Sequence, residues 1–213
     1  MKKILLLGDS IRRGYDIYLK DAFKNVAEVY YPEDNCRFAA YFLRHLYDWQ
    51  NNILPERQAD VIHWNAGLWD CACLGEDELL APPEIYAYYI ERICKTMKKL
   101  FPEAKIIFAT STPVNEEGYK HFLKRSNADI REYNRIATET AKKYGFAVND
   151  LYSVAEKLSP EAHSDMTHYY TEEGSRAFTQ AVNAAIAKEL GVDTAQLCEF
   201  RYPIEKDTKV IGM

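Results

Sequence analysis

The chain has 213 residues, long enough to bury one sizeable core and short for two domains at about 100–200 residues each. Its 27 Lys and Arg are scattered among 32 Asp and Glu, and a net charge of −5 offers no field to nucleic acid or to an anionic membrane surface. Five cysteines form an odd and sparse set, which fits a reducing compartment better than a disulfide framework.

Met1-Lys2-Lys3 leads into an apolar run over residues 3–7. The run is far too short for a secretory core and meets Gly8-Asp9-Ser10 at once, so it reads as a strand of a cytoplasmic protein. Residues 15–23 follow at helical spacing, then a second strand over 28–31, the loop Pro32-Glu33-Asp34-Asn35-Cys36, and a helix over 38–49. A third strand over 60–64 ends in Asn65-Ala66-Gly67-Leu68-Trp69-Asp70. Pro82-Pro83 opens a helix over 85–100, and Lys98-Lys99 suit its negative end. Strands over 105–109 and 146–149 flank a helix over 130–144 that Gly145 closes. Thr171, Glu172 and Glu173 read as the cap and acidic first turn of the last helix, whose periodicity covers 177–190 up to Gly191. No run of about 20 apolar residues is present to span a membrane.

Five strands alternating with five helices predict an α/β protein, a flavodoxin-like three-layer α/β/α sandwich with a five-stranded parallel sheet. Residues 1–191 make the domain, and residues 192–213 a tail that packs on it or on a partner subunit, leaving a homo-oligomer open. In such a fold the loops after strands 1, 2, 3 and 5 converge on one edge, outside the carboxyl ends of the strands. Those loops carry Ser10, Asn35, Gly67 and the segment Ser164-Asp165-Met166-Thr167-His168.

A hydroxyl, an imidazole and a carboxylate are the minimum set for acyl transfer by a serine nucleophile. Asp165 and His168 stand three apart, a spacing that puts both on one face of a helical turn. His168 is the expected general base, Asp165 its orienter and Ser10 the nucleophile. Arg12 and Arg13 fall at the start of the first helix, where positive charge opposes the dipole. Two uses are open for Arg12: recognition of an anionic substrate group, or pairing with Asp16. A metal centre from His63, His163 and Asp165 conflicts with a base that must accept a proton, and Cys71-Ala-Cys73 lacks a second cysteine pair, so no metal and no cofactor are expected. His45 and His121 read as surface or satisfied helix histidines.

Gly8-Asp9-Ser10 and Asp165-x-x-His168 resemble the first and last blocks of the SGNH hydrolase superfamily, the GDSL-like esterases and lipases. The family's third block, Gly-x-Asn-Asp, is matched by Gly67-Leu68-Trp69-Asp70, with Trp69 in place of the asparagine that donates to the oxyanion. The second block's glycine has no counterpart, since the loop after strand 2 contains none. The resemblance implies a serine esterase acting on a small or medium carboxylic ester, and aromatic residues near the cleft, Trp69 among them, favour carbohydrate acetyl esters. With Trp69 in that place, the expected oxyanion donors are the Ser10 amide, an amide among Asn35, Cys36 and Arg37, and the Asn65 carboxamide. Two alternatives stay open: a binding module that keeps the fold without turnover, and a flavin or phosphate binder.

Overall fold

The computed structural model describes residues 1–75, 78–119, 122–199 and 201–204. Its centre is a five-stranded parallel sheet of β1 (Lys2–Leu7), β2 (Ala27–Tyr30), β3 (Val61–Trp64), β6 (Lys105–Ala109) and β8 (Ala147–Asn149), in the order β2-β1-β3-β6-β8. Parallel strands buried on both faces read as unbroken apolar runs, and Ile4 to Leu7 and Val61 to Trp64 are accordingly all buried. Helices α3 (Ala39–Ile53), α4 (Pro83–Leu100) and α5 (Asn127–Lys143) pack side by side, and a second group joins α2 (Asp16–Phe23), α6 (Leu151–Ala155) and α7 (Glu172–Leu190). This is the predicted α/β architecture.

The punctuation acts as its chemistry requires. Thr171 accepts a hydrogen bond from the Gly174 amide at the start of α7, and Gly191 ends that helix at φ 70°, a left-handed conformation that glycine adopts without a Cβ penalty. Ser126 caps α5 in the same way by accepting from Asp129.

Besides the short helix α6, two features escaped the periodicity. The first helical stretch is divided into α1 (Ser10–Arg13) and α2, so Ser10 opens a helix of its own. A second sheet of three two-residue strands, β4 (Cys73–Leu74), β5 (Glu78–Leu79) and β7 (Leu123–Lys124), pairs antiparallel in the order β5-β4-β7. Among the described residues no helix is long and apolar enough to cross a membrane.

Beyond α7 the chain turns back over α2. The Cys198 amide donates to the Ala22 carbonyl at 2.8 Å, and the Tyr202 ring stacks on Tyr18 with centroids 5.7 Å apart. Strand order reverses direction at β1 and β3, and the crevice at the carboxyl ends of those two strands is where open α/β sheets place ligands.

Candidate active site

Ser10 is half-buried and is the first residue of α1, directly after β1 and Gly8-Asp9. Asp9 caps this helix by accepting from the Ile11 amide at 2.9 Å. As the first helical residue, Ser10 has a backbone N–H with no intrahelical acceptor, at the positive end of the helix.

Residues 164–168 form a bend rather than a helical turn. The Asp165 carboxylate closes it, accepting from the backbone amides of Thr167 at 2.7 Å and His168 at 2.8 Å. The same carboxylate accepts from His168 Nδ1 at 2.7 Å. Burial works against its charge, but the bonds from the His168 ring and the two amides hold the carboxyl below the usual range. An ionised carboxylate only accepts, so Nδ1 carries the proton and Nε2 is left as the basic nitrogen. A side-chain-closed bend thus does what a helical turn was expected to do.

Two contacts bring this loop to α1. Tyr170 donates its hydroxyl to the Ser10 carbonyl at 2.7 Å, while its ring stacks on the His168 ring with centroids 4.7 Å apart. His168 also shares a narrow apolar cleft with Ile11 of α1 and with Gly14, which follows that helix. The Ser10 hydroxyl and the His168 ring are not hydrogen-bonded to each other.

The expected oxyanion donors are placed differently. Asn65 is fully buried at the end of β3 and its Nδ2 donates to Asp9 at 2.8 Å, so its carboxamide secures the acid before the serine rather than facing solvent. Asn35, Cys36 and Arg37 spend their amides inside the loop, on Asp34 Oδ1, the Gly8 carbonyl and Asn35 Oδ1 respectively. The Asn35 side chain is thereby an acceptor that shapes the turn. Arg37 adopts φ 52°, so this loop enters the left-handed region without a glycine. The Ser10 amide, by contrast, has no acceptor within its own helix.

Gly67 is buried at φ 135°, and a Cβ there would lie 2.8 Å from the Tyr86 hydroxyl. Its role is backbone geometry in the turn after β3, where Trp69 is half-buried. Arg12 is also withdrawn from the site. It is 1% exposed, pairs with Asp16 at 2.6 Å and donates to the Asp34 carbonyl at 2.8 Å, so the anion it recognises is internal.

Asp70 accepts from the Ala39 amide with both oxygens, at 3.0 and 3.1 Å, and so caps α3 from the neighbouring loop. Burial pushes its carboxyl up to about 7, against the pull of that amide. The folded state therefore holds a proton that the unfolded chain releases near pH 4, and this group's stabilisation falls as pH rises from about 4 to 7. Thermal unfolding from pH 4.5 to 7.5 tests this: Asp70→Asn should remove a pH-dependent loss of a few kcal/mol at most, roughly 1.4 kcal/mol per pKa unit. A wild type and variant that run parallel across that range would contradict it.

Several residues at this edge went unpredicted. Arg125 donates from Nε to the Leu68 carbonyl at 2.6 Å and from Nη1 to the Tyr119 hydroxyl at 3.2 Å. Tyr119 in turn bonds Thr167 Oγ1 at 2.5 Å, which ties the turn after β3 to the His168 loop. The loop after β6 supplies Thr112 to the cleft beside His168. Thr110-Ser111-Thr112-Pro113 directly after a strand was the available signal for it; an arginine in an irregular segment gave none.

His63 lies in the core between Tyr15 and Asn149, where burial lowers its pKa to about 3, and His163 stacks on Tyr169. His45 sits beside Asp48 and Tyr41, and His121 falls outside the described residues. Among the described residues no three His, Cys, Asp or Glu side chains group as a metal site.

No family profile and no curated protein matches the chain in sequence. Solved structures do match in fold. A GDSL-like lipase from Bacteroides thetaiotaomicron superposes with a TM-score of 0.68 at 20% identity, covering 88% of this chain and 88% of that one. A lipase/acylhydrolase from Enterococcus faecalis gives 0.65 at 17% identity, covering 94% of this chain and 100% of the other. An acetyl xylan esterase gives 0.64 at 17% identity, over 86% and 99% of the two chains. The chain has the α/β fold of the GDSL-like lipases and acylhydrolases.

Proposed function

We propose that the chain is a serine esterase that hydrolyses small or medium carboxylic esters through Ser10, His168 and Asp165. The observation that carries this reading is the Asp165–His168 pair, bonded at 2.7 Å and docked through Tyr170 on the helix that Ser10 opens. His168 Nε2 takes the Ser10 proton as Oγ attacks the ester carbonyl, and Asp165 stabilises the imidazolium that forms. The Ser10 amide receives the oxyanion at the positive end of α1. The same nitrogen then returns the proton to the departing alcohol, and water, activated in the same way, releases the acid from Ser10.

Carbohydrate acetyl esters are the preferred substrates. Their support is the exposed Tyr170 and half-buried Trp69 at this edge, together with the fold shared with an acetyl xylan esterase. The test is hydrolysis of nitrophenyl esters of increasing acyl length and of acetylated sugars, with EDTA present. Turnover that is greatest for acetyl esters and indifferent to EDTA is the expected result.

A second reading has its own observation. Trp69 stands where an oxyanion-donating asparagine was expected, and the amides of Asn35, Cys36 and Arg37 are already engaged. A module that binds esters or sugars without turning them over would fit that shortage of donors. Saturable binding of acetylated sugars with no hydrolysis of any ester would decide for it.

A further inference from the structure

The hydrogen bond and the ring stack that dock the His168 loop on α1 share one side chain, and the contacts continue beyond it. Tyr170 touches the residue of the nucleophile with its hydroxyl, at 2.7 Å from the Ser10 carbonyl, and the base with its ring, stacked on His168 at an interplanar angle of 19°. Gly14, at the end of α1, leaves the room this requires: a Cβ there would stand 3.1 Å from the Tyr170 ring. Tyr170 is itself held at both backbone ends. Its amide donates to Ser164 Oγ at 3.1 Å, and its carbonyl accepts from the Tyr202 hydroxyl at 3.0 Å.

Tyr202 belongs to the segment that runs back along α2 after the last helix. Its ring stacks on Tyr18, and Cys198 anchors the segment by its amide to Ala22 and by its sulfur to Asn25 Nδ2 at 3.2 Å. We infer that Tyr170 is a positioning residue that sets the His168 ring against Ser10, and that the C-terminal segment, through Tyr202, clamps it in place. This rests on the esterase reading, because it assigns the segment a task in that same site.

The physical basis is selective. Asp165 fixes the ring at Nδ1 alone, at 2.7 and 3.0 Å from its two oxygens, and selects its tautomer, but a hold at a single ring atom leaves the imidazole free to swing about it. A flat ring stacked on one face removes that freedom, and its hydroxyl refers the stack to the backbone of Ser10. Losing the stack costs catalysis through geometry, and a misplacement of about 1 Å is worth on the order of 10²-fold in rate.

The experiment compares Tyr170→Phe, Tyr170→Leu, Tyr202→Phe and the double variant Tyr170→Leu/Tyr202→Phe with wild type, on a neutral nitrophenyl acetate, with kcat referred to titrated active sites. Tyr170→Leu should lower kcat on the order of 10²-fold with KM within about threefold. Tyr170→Phe, which keeps the stack and loses the bond to Ser10, should fall between it and wild type. Tyr202→Phe should lower kcat a few-fold in the wild-type background and not at all in Tyr170→Leu, since it acts through that ring. The phenylalanine variants keep the ring packing, so they report even if the leucine variant folds poorly. Wild-type kcat in Tyr170→Leu, or a loss expressed in KM, would overturn the assignment, as would additive effects of the two substitutions. If Ser10→Ala still hydrolyses the ester, the esterase reading itself falls; if it is inactive while the tyrosine variants are unimpaired, only the clamp does.

Discussion

Replacing Ser10 or His168 by alanine is expected to lower kcat on the best ester by on the order of 10⁴–10⁶, each about as severely as both together. The losses do not add because the groups act as a unit: without the base the hydroxyl is a poor nucleophile, and without the hydroxyl the base has nothing to activate. Asp165→Asn should cost about 10⁴ for a different reason. Its carboxylate holds the Nδ1 proton and is itself kept ionised by the His168 ring and two backbone amides, despite partial burial. An amide in its place can donate to Nδ1 and hold the opposite tautomer, with Nε2 carrying the proton. Steady-state kinetics on purified variants, with unfolding midpoints to show that each is folded, measure all three. Residual activity within tenfold of wild type in either alanine variant would be incompatible with the triad.

The second large effect concerns stability. Arg12 and Asp16 form an ion pair at 2.6 Å with side chains 1% and 5% exposed, and Arg12 spends a further donor on the Asp34 carbonyl. Tyr31 lies beneath the guanidinium at 5.5 Å. Arg12→Ala removes one partner of this buried ion pair, which costs about 3–5 kcal/mol. For a chain of this size that corresponds to a fall in Tm of roughly 6–20 °C. Replacing both residues together by apolar ones of similar volume should recover much of the loss, because the desolvation of two charges is relieved along with their attraction. A Tm within 2 °C of wild type for Arg12→Ala would show that the pair is better hydrated than its burial implies. The same experiment separates the two uses open to this arginine from sequence. A substrate contact would alter KM at constant Tm, whereas the internal pair alters Tm.

What could be read from the sequence follows from how each signal is encoded. The strands were legible because a parallel sheet covered on both faces needs apolar runs, and Ile4 to Leu7 supply one without a break and Val61 to Trp64 one broken only by the buried His63. Strands of two residues, such as Cys73–Leu74 and Glu78–Leu79, have no period to detect, and the three-stranded sheet stayed hidden. The division between α1 and α2 was likewise invisible, since Gly14-Tyr15 interrupts a helical spacing that remains apolar on both sides.

At the site, the pairing of Asp165 with His168 was legible because a fixed short spacing defines it. The partners of the loop amides were not. Which carbonyl a backbone amide meets depends on loop conformation, and Cys36 turns its N–H to the Gly8 carbonyl only because the loop after β2 doubles back over β1. Asn65 has the right chemistry at the right strand end, but Asp9 is fully buried beside it and claims its amide. Arg125, Tyr119 and Tyr170 reach this edge from segments distant in the chain, so only the fold assembles them.

The central claim is that Ser10 is a nucleophile activated by His168, and a fluorophosphonate probe tests it with no knowledge of the natural ester. Attack by Ser10 Oγ on phosphorus expels fluoride and leaves a covalent adduct that peptide mass spectrometry locates. The account predicts one probe per chain, on the peptide that carries Ser10, with labelling abolished in Ser10→Ala and in His168→Ala. Labelling at another residue, or of equal rate in His168→Ala, would contradict it.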